Sequence, residues 1–316
     1  MPKILITSTS FGKKIKAPLE TLRSKGYELV LNDLGRPLVA EELTQRLAGC
    51  DGCIAGLDHF TAEVLRAAPG LRIIARYGAG VDRVDLAAAA EAGIVVTNTP
   101  VANSDSVADL AVALMLAAAR NIPAAHQSVC RGEWKNIYGT SLAGKTVGLI
   151  GFGRIGRRVA RRVTGFGCRV LVCDPFVDAA EARQAGTEPV SLEELLPAAD
   201  FVSLHLPAND QTRGLINAAR LEQMKPSAII VNTARGELID QEALVDALCN
   251  GRLRGAGLDA HATEPPDAKA FEGLENVVLT PHMGAYTEEA LMNMATGAVE
   301  NLCAFFEGRE PPDVVV

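Results

Sequence analysis

The sequence predicts an α/β protein with two doubly wound parallel-sheet domains. Apolar runs of strand length alternate with segments of helical periodicity over nearly all of the 316 residues, which is typical of parallel sheets with helices on both faces. A Gly-x-Gly-x-x-Gly motif stands only in the second half, at residues 151–156. The two halves therefore differ in their glycine chemistry, and the chain is long enough for two domains of ordinary size.

The first half contains five predicted strands. Helical segments separate them, and Gly26 and Pro69-Gly70 end two of these segments. The strands are predicted at 3–7, 28–31, 52–55, 72–76 and 94–97, and the helices at 15–22, 41–48, 61–67 and 86–92. This half has no glycine fingerprint of its own, so we expect a doubly wound domain without a dinucleotide site.

The loop after the fourth predicted strand reads Tyr77-Gly78-Ala79-Gly80. Ligands of doubly wound sheets bind outside the carboxyl ends of the strands, and two glycines around one small residue leave backbone N–H groups exposed. The loop is therefore either an anion cradle or a plain turn, and this stretch alone leaves both interpretations open.

A long apolar helix is predicted at 107–120, where an alanine-rich sequence runs towards Pro123. The helix is apolar over most of its surface, so we expect it to be buried between domains or between subunits. A polar, irregular segment at 131–138 follows and contains the only tryptophan, Trp134.

The glycine motif lies between two predicted strands, 147–150 and 170–173. Gly151 permits a tight turn, Gly153 lets the backbone approach a pyrophosphate, and Gly156 lets the following helix pack on the strand. The phosphates would bind at the N-terminus of that helix. Asp174 ends the second strand, where a carboxylate accepts hydrogen bonds from a ribose and repels a 2′-phosphate. The sequence therefore predicts a dinucleotide, and NAD rather than NADP.

Three polar residues follow strands in the remainder of the second half. Strands are predicted at 201–206, 228–232, 255–258 and 277–279, and helices at 192–196, 241–249 and 287–307. Arg235, Glu264 and His282 each come shortly after one of the last three strands. A guanidinium binds a carboxylate bidentately, a histidine passes protons near neutrality, and a carboxylate on its far nitrogen orients it. For each residue taken singly, the alternative interpretation is a solvated or structural side chain.

Composition narrows the class of partner. Hydrophobic residues make up 48% of the chain and charged residues 22%, and the formal net charge is −7, which argues against a nucleic-acid or anionic-membrane partner. The N-terminus has no signal-like apolar core, and the most apolar stretch is shorter than the roughly 20 residues of a membrane span. Seven scattered cysteines favour a cytoplasmic location. Cys50 and Cys53 lack a second Cys/His pair at zinc spacing, so no metal site is predicted.

Five segments together resemble the D-isomer-specific 2-hydroxyacid dehydrogenase family, in its phosphoglycerate dehydrogenase-like form. They are 76–85 (RYGAGVDRVD), 151–174, 231–236 (VNTARG), 255–265 and 279–285 (LTPHMGA). The resemblance implies a Rossmann NAD domain at 99–286, inserted into a flavodoxin-like substrate domain at 1–98 and 287–316. The chain ends soon after the last predicted helix, so it resembles the short members of the family that lack a C-terminal regulatory domain.

The resemblance also implies an activity and its residues. Members of the family transfer a hydride between NAD(H) and C2 of a small D-2-hydroxy or 2-keto acid, such as hydroxypyruvate, glyoxylate or phosphoglycerate. His282 would be the acid/base, Glu264 its partner and Arg235 the substrate anchor. The residues implied for the substrate are Tyr77, Gly78, Ala79, Gly80, Arg235 and His282, which favours the anion cradle. Those implied for NAD are Gly151, Phe152, Gly153, Arg154, Ile155, Gly156, Asp174, Leu206, Pro207, Thr212, Thr233, Ala234, Arg235, Asp259, His282 and Gly284.

Homodimers are typical of the family and are joined through helices such as 107–120. Two departures from the family pattern bear on specificity. Relatives often carry Asp-Val-Phe where this chain has Asp259-Ala260-His261. Phosphoglycerate-type members often have an arginine near Ala55-Gly56, and its absence here weakens a phosphoglycerate assignment. The alternative function is an NAD-sensing, corepressor-like binding protein on the same fold, because such corepressors retain Arg235, Glu264 and His282.

Overall fold

The computed structural model describes residues 1–316 and divides into two compact units. Unit 1 consists of Met1–Ser104 and Ala285–Val316, and unit 2 is Asp105–Gly284. Along the chain, unit 2 is thus an insertion within unit 1. The domain limits inferred from the sequence, 98/99 and 286/287, stay a prediction.

Strands and helices alternate along both units. The strands are β1 (Lys3–Ile6), β2 (Glu28–Leu31), β3 (Gly52–Ala55), β4 (Ile73–Arg76), β5 (Val95–Thr97), β6 (Thr146–Ile150), β7 (Arg169–Cys173), β8 (Glu188–Pro189), β9 (Phe201–Leu204), β10 (Ile229–Asn232), β11 (Gly255–Leu258) and β12 (Val277–Leu279). The helices are α1 (Ala17–Ser24), α2 (Ala40–Leu47), α3 (Ala62–Arg66), α4 (Leu86–Glu91), α5 (Ser104–Ala119), α6 (Ile122–Cys130), α7 (Arg154–Thr164), α8 (Ala179–Gln184), α9 (Leu192–Ala198), α10 (Ala218–Gln223), α11 (Gln241–Cys249) and α12 (Glu288–Phe306).

Unit 1 contains a five-stranded parallel sheet with the order β2-β1-β3-β4-β5. This is the strand order of flavodoxin-like sheets. The last helix, α12, belongs to this unit because Met294, Ala298 and Leu302, four residues apart, form one buried stripe. The stripe packs in the same apolar cluster as Ile54 of β3 and Ile73 of β4. Helices therefore cover the sheet, as the alternating pattern predicts.

Unit 2 contains a seven-stranded parallel sheet with the order β12-β11-β10-β9-β6-β7-β8. The strand order reverses between β6 and β9, as it does in the Rossmann dinucleotide-binding fold. Ligands of such sheets bind at the carboxyl ends of the strands beside this reversal. The two parallel sheets confirm the predicted fold class, and the glycine motif, which directly follows β6, lies at the reversal.

The apolar helix α5 is a core element of unit 2. Ala111, Leu114 and Met115 are almost completely buried and share a cluster with Leu149 of β6 and Val231 of β10. A Cβ on Gly257 of β11 would lie 2.9 Å from the Leu114 side chain. Its own sheet therefore covers one face of this helix, and the expectation that the helix is buried between domains or between subunits stays a prediction.

Three helices and one short strand, namely α6, α8, α10 and β8, were not expected from the sequence. Pro123 was expected to end the preceding helix, yet it lies in the first turn of α6, where proline's missing N–H costs nothing. Asn121, with φ 51°, makes the break between α5 and α6. Only when taken together as a pair bent by 62° do these two helices have the length and apolar composition of a membrane span, and no single helix has them.

Candidate active site

Packing within the protein requires two of the three motif glycines. Gly151 has φ +95°, and a Cβ there would lie 2.5 Å from the carbonyl oxygen of His205. A Cβ on Gly156 would lie 2.3 Å from the carbonyl oxygen of Gly151. In contrast, no atom lies within 4 Å of a Cβ placed on Gly153. Gly153 therefore leaves open space at the start of α7.

The residues around this space fit a dinucleotide. Gly153 is the N-cap of α7, and no side chain caps the helix, so the first-turn N–H groups are available to phosphate oxygens. The two carboxylate oxygens of Asp174 accept hydrogen bonds from the N–H of Phe152 (2.7 Å) and of Phe176 (2.9 Å), which fixes the carboxylate and leaves acceptor capacity for hydroxyls. The buried Thr233 hydroxyl has no hydrogen-bond partner within the protein.

The surroundings of Asp174 favour a ribose without a 2′-phosphate. Phe176 is almost fully exposed and brings no charge. Arg157 on α7 stacks 4.6 Å from the centre of the Phe152 ring and pairs with Glu181 at 3.0 Å. Its charge is thus already matched by a carboxylate, and a phosphate next to Asp174 would be repelled.

The loop after β10 positions Arg235. The buried Asn232 side chain accepts from the N–H of Ala234 (3.0 Å) and donates to the carbonyl of Arg235 (2.8 Å). The half-buried Arg235 donates from Nη1 to the carbonyl of Ala234 at 2.7 Å. A Cβ on Gly236 would lie 1.9 Å from the carbonyl carbon of His261. Only glycine therefore lets the loop after β10 lie against the loop after β11.

His282 and Glu264 form the contact expected of an acid/base pair. Nδ1 of His282 lies 2.5 Å from Oε1 of Glu264, with the two side chains 24% and 21% exposed. The two residues follow β12 and β11, which are neighbours in the sheet, so both reach the same carboxyl edge. Because Glu264 occupies Nδ1, Nε2 is the ring nitrogen left to exchange a proton with a substrate.

Asp259 holds the loop that carries His282. Its carboxylate accepts hydrogen bonds from the Thr280 hydroxyl (2.6 Å), the Met283 N–H (2.8 Å) and the Gly284 N–H (2.8 Å). Asp259 is 1% exposed. In the structure this carboxylate therefore organises the protein, and a contact to the nicotinamide amide stays a prediction.

The Tyr77–Gly80 loop of unit 1 offers fewer donors than expected. The N–H of Tyr77 binds the Ala55 carbonyl at 2.9 Å, and the N–H of Gly78 binds the Thr99 hydroxyl at 3.1 Å. Burial raises the pKa of the Tyr77 hydroxyl to about 12, so this side chain brings no charge to the loop. The half-exposed Ala79 and Gly80 donate to no protein acceptor, and they carry the predicted anion cradle.

Comparison with known proteins identifies the family. Residues 112–284, more than half of the chain, match the family described as D-isomer specific 2-hydroxyacid dehydrogenase, NAD binding domain.

The chain belongs to the D-isomer-specific 2-hydroxyacid dehydrogenase family.

Relatives with several activities share this similarity. The D-3-phosphoglycerate dehydrogenase of Mycobacterium tuberculosis is 49% identical over 257 residues, which cover 80% of this chain and 48% of that protein. The glyoxylate reductase of Korarchaeum cryptofilum is 42% identical over 298 residues, covering 92% and 90%. The crystal structure of the TT0316 protein from Thermus thermophilus aligns with a TM-score of 0.90 and 43% identity, covering 99% and 100%. The chain thus spans about half the length of the mycobacterial phosphoglycerate dehydrogenases that it matches.

One histidine of this dehydrogenase family member was not identified from the sequence. His205 directly follows β9, and its two ring nitrogens are buried without a hydrogen-bond partner in the protein. Burial lowers the pKa of His205 to about 4, so its ring is uncharged at neutral pH. Its carbonyl oxygen limits the space at Gly151. Its position near the end of a predicted strand, in the run Leu204-His205-Leu206-Pro207, is the sequence feature that could have identified it.

Other residues implied for NAD lie in the turn after β9 and on the first turn of α7. Thr212 donates from its hydroxyl to the Pro207 carbonyl at 2.7 Å, so it closes the turn after β9. A Cβ on Gly151 would lie 2.8 Å from a methyl group of Leu206, which places Leu206 against the glycine motif. Arg154 is exposed and Ile155 half-buried on the first turn of α7. Their contacts to NAD stay predictions.

Proposed function

We propose that this chain is an NAD-dependent D-2-hydroxyacid dehydrogenase that interconverts small 2-keto acids and D-2-hydroxy acids. The observation that carries the proposal is the 2.5 Å contact between His282 and Glu264. It lies at the carboxyl edge of a sheet whose strand reversal holds the glycine motif. A paired imidazole in that place suits proton transfer beside a bound dinucleotide.

Each residue has a separate role in reduction. When bound, the nicotinamide supplies the hydride that reaches C2. Nε2 of His282 gives its proton to the carbonyl oxygen at the same time, which yields the 2-hydroxy acid. Glu264 stabilises the protonated imidazole from the Nδ1 side. Arg235 binds the substrate carboxylate with two parallel hydrogen bonds. In oxidation, neutral His282 takes the hydroxyl proton.

We favour a substrate without a second anionic group, such as glyoxylate or hydroxypyruvate. A Cβ on Gly56 would lie 2.8 Å from Cα of Ser8, so the loop after β3 has no space for a cationic side chain at this position. The name of the Korarchaeum relative, glyoxylate reductase, supports this class. A higher kcat/KM for phosphohydroxypyruvate than for hydroxypyruvate would contradict it.

NADH oxidation at 340 nm with a panel of 2-keto acids tests the activity. The panel contains glyoxylate, hydroxypyruvate, pyruvate, phosphohydroxypyruvate and sulfopyruvate. We expect turnover with at least one of them, and a loss of at least about 10²-fold in kcat for His282→Ala, since general acid catalysis contributes about 10²–10⁴-fold. NADH binding, followed by fluorescence, should be unchanged in this variant. His126→Ala, on the exposed face of α6, is the matched control.

The corepressor-like alternative predicts a different outcome of the same assay. A protein that only senses NAD would bind NADH and oxidise it with none of the keto acids. Near-normal turnover in His282→Ala would also contradict the proposed mechanism.

We further propose that the chain forms a homodimer in the cytoplasm. The support for a dimer is a row of exposed apolar side chains on α6 and the segment after it: Ile122, Val129, Trp134 and Tyr138, which are 52%, 59%, 92% and 82% exposed. A monomer at micromolar concentration in sedimentation velocity would contradict a dimer.

The location in the cytoplasm has separate support. All seven cysteines are unpaired, which supports a reducing compartment. A disulfide in thiol-blocked protein taken directly from cells would contradict that location.

A further inference from the structure

His261 lies between the two loops that carry the acid/base pair. It follows β11, is 6% exposed, and its Nε2 lies 2.9 Å from the carbonyl oxygen of Thr280, in the loop after β12. Its backbone N–H points to Oε1 of Glu264 at 3.5 Å. One residue therefore contacts the Glu264 carboxylate on one side and the His282 loop on the other.

The contact to Thr280 defines the proton on His261. A carbonyl oxygen only accepts hydrogen bonds, so Nε2 carries the hydrogen. Nδ1 is buried and has no hydrogen-bond partner within the protein. The site thus accommodates the ring as a single donor aimed at Thr280.

The Thr280 carbonyl supports an unusual turn. It also accepts the N–H of His282 at 3.1 Å, and His282 has φ +51°, a left-handed conformation that non-glycine residues adopt only when their surroundings impose it. Asp259 holds the hydroxyl of Thr280, whereas His261 holds its carbonyl. The turn is therefore fixed from both sides.

We propose that His261 is a positioning residue that donates Nε2–H to the Thr280 carbonyl and so holds His282 in line with Glu264. This role rests on the proposed function for its effect on turnover, but its effect on the His282–Glu264 contact does not depend on turnover. Phenylalanine at this position would fill the same space without a donor, whereas glutamine keeps a donor near the place of Nε2.

His261→Phe and His261→Gln test the role as a pair. The nearby cavity, lined by Gly236, His261 and Ala262, is only about 10 Å³, so substitutions must keep the side-chain volume. We expect about fivefold lower kcat for His261→Phe, the effect of one lost hydrogen bond, with unchanged KM for NADH. His261→Gln should restore at least half of the wild-type kcat.

Titration of His282 by NMR provides the readout that turnover does not. The chain has five histidines, so single substitutions assign their ring resonances. We expect the titration midpoint of His282 to move to lower pH in His261→Phe and to return in His261→Gln. The charged groups on these loops, Arg235, Asp259 and Glu264, are the same in both variants. A residue that only fills space would leave the midpoint in place.

The outcomes separate this proposal from the proposed function. If wild-type protein reduces none of the keto acids but the midpoint still moves, the activity is wrong and the positioning role stands. An unmoved midpoint, or equal defects in the phenylalanine and glutamine variants, would overturn the role of His261.

Discussion

At the scale of single residues, the proposed chemistry depends on which nitrogen of His282 is occupied. Glu264 takes Nδ1 at 2.5 Å, and the turn at φ +51° directs the ring to that carboxylate. An anionic partner favours the charged form of an imidazole. His205 shows the opposite environment, since burial without a partner lowers its pKa to about 4. Two histidines of one unit thus differ in their surroundings, because only one of them has a carboxylate partner.

Glu264→Gln should move the pH optimum of reduction downward. Reduction needs protonated His282, so the rate falls as pH rises and the imidazole loses its proton. A neutral amide no longer stabilises the charged ring, and the fall then begins at lower pH, by about one unit or more. The pH profile of kcat/KM checks this shift, with Glu188→Gln, an exposed residue paired with Arg169, as the control. An unchanged profile would remove Glu264 from the mechanism.

At the scale of elements, the three glycines of the strand–loop–helix unit β6–α7 are needed for different reasons. Gly151 and Gly156 lie against backbone atoms of the protein itself, whereas nothing lies near a Cβ on Gly153. Packing therefore explains the first two, and space at the first turn of α7 explains the third. The same element carries Phe152, whose N–H donates to the Asp174 carboxylate, so Asp174 also holds the loop between β6 and α7.

Gly153→Ala and Gly156→Ala should separate cofactor binding from stability. The alanine at 153 enters open space and should change the free energy of unfolding by less than about 1 kcal/mol, yet raise the Kd for NADH at least about tenfold by crowding the pyrophosphate. The alanine at 156 meets a backbone oxygen and should cost about 1–3 kcal/mol of stability. Urea unfolding without cofactor and NADH titration measure the two effects. Equal Kd values for wild-type protein and Gly153→Ala would contradict a pyrophosphate at this turn.

At the scale of the whole molecule, each unit has its own buried apolar clusters. The large apolar side chains that stay exposed lie outside these clusters. The sheet of unit 2 covers one face of α5, and a contact between this helix and a second copy stays a prediction. The exposed set on α6 and the segment after it is different, because Trp134 and Tyr138 are 92% and 82% exposed. Large aromatic residues are enriched in protein interfaces relative to the rest of the protein surface.

Trp134→Asp combined with Tyr138→Asp should convert the proposed dimer into a monomer. A charge placed on each aromatic position opposes burial of this surface against a second copy. Sedimentation velocity at micromolar concentration measures the state, and near-complete dissociation is expected. Phe176→Asp is the control, because Phe176 is equally exposed but lies in the loop after β7. A dimer that persists in the double variant would place the interface on another surface.

Much of the fold and part of the candidate site followed from local sequence patterns. Apolar runs bounded by turn residues located all strands except β8, whose two residues form no pattern. The spacing of Gly151, Gly153 and Gly156 placed the dinucleotide motif, because the conformations that glycine permits are a local property. The strand ends located Arg235, Glu264 and His282, since carboxyl ends of parallel strands share one edge of a sheet.

Only the tertiary structure decided which atoms meet. Three hydrogen bonds join residues from different strands or loops. Glu264 pairs with Nδ1 of His282, His261 donates to the Thr280 carbonyl, and the Gly78 N–H donates to the Thr99 hydroxyl. The burial of α5 by its own sheet is of the same kind. Hydrogen bonding and burial depend on distances across the sheet, and a one-dimensional pattern carries no such distances.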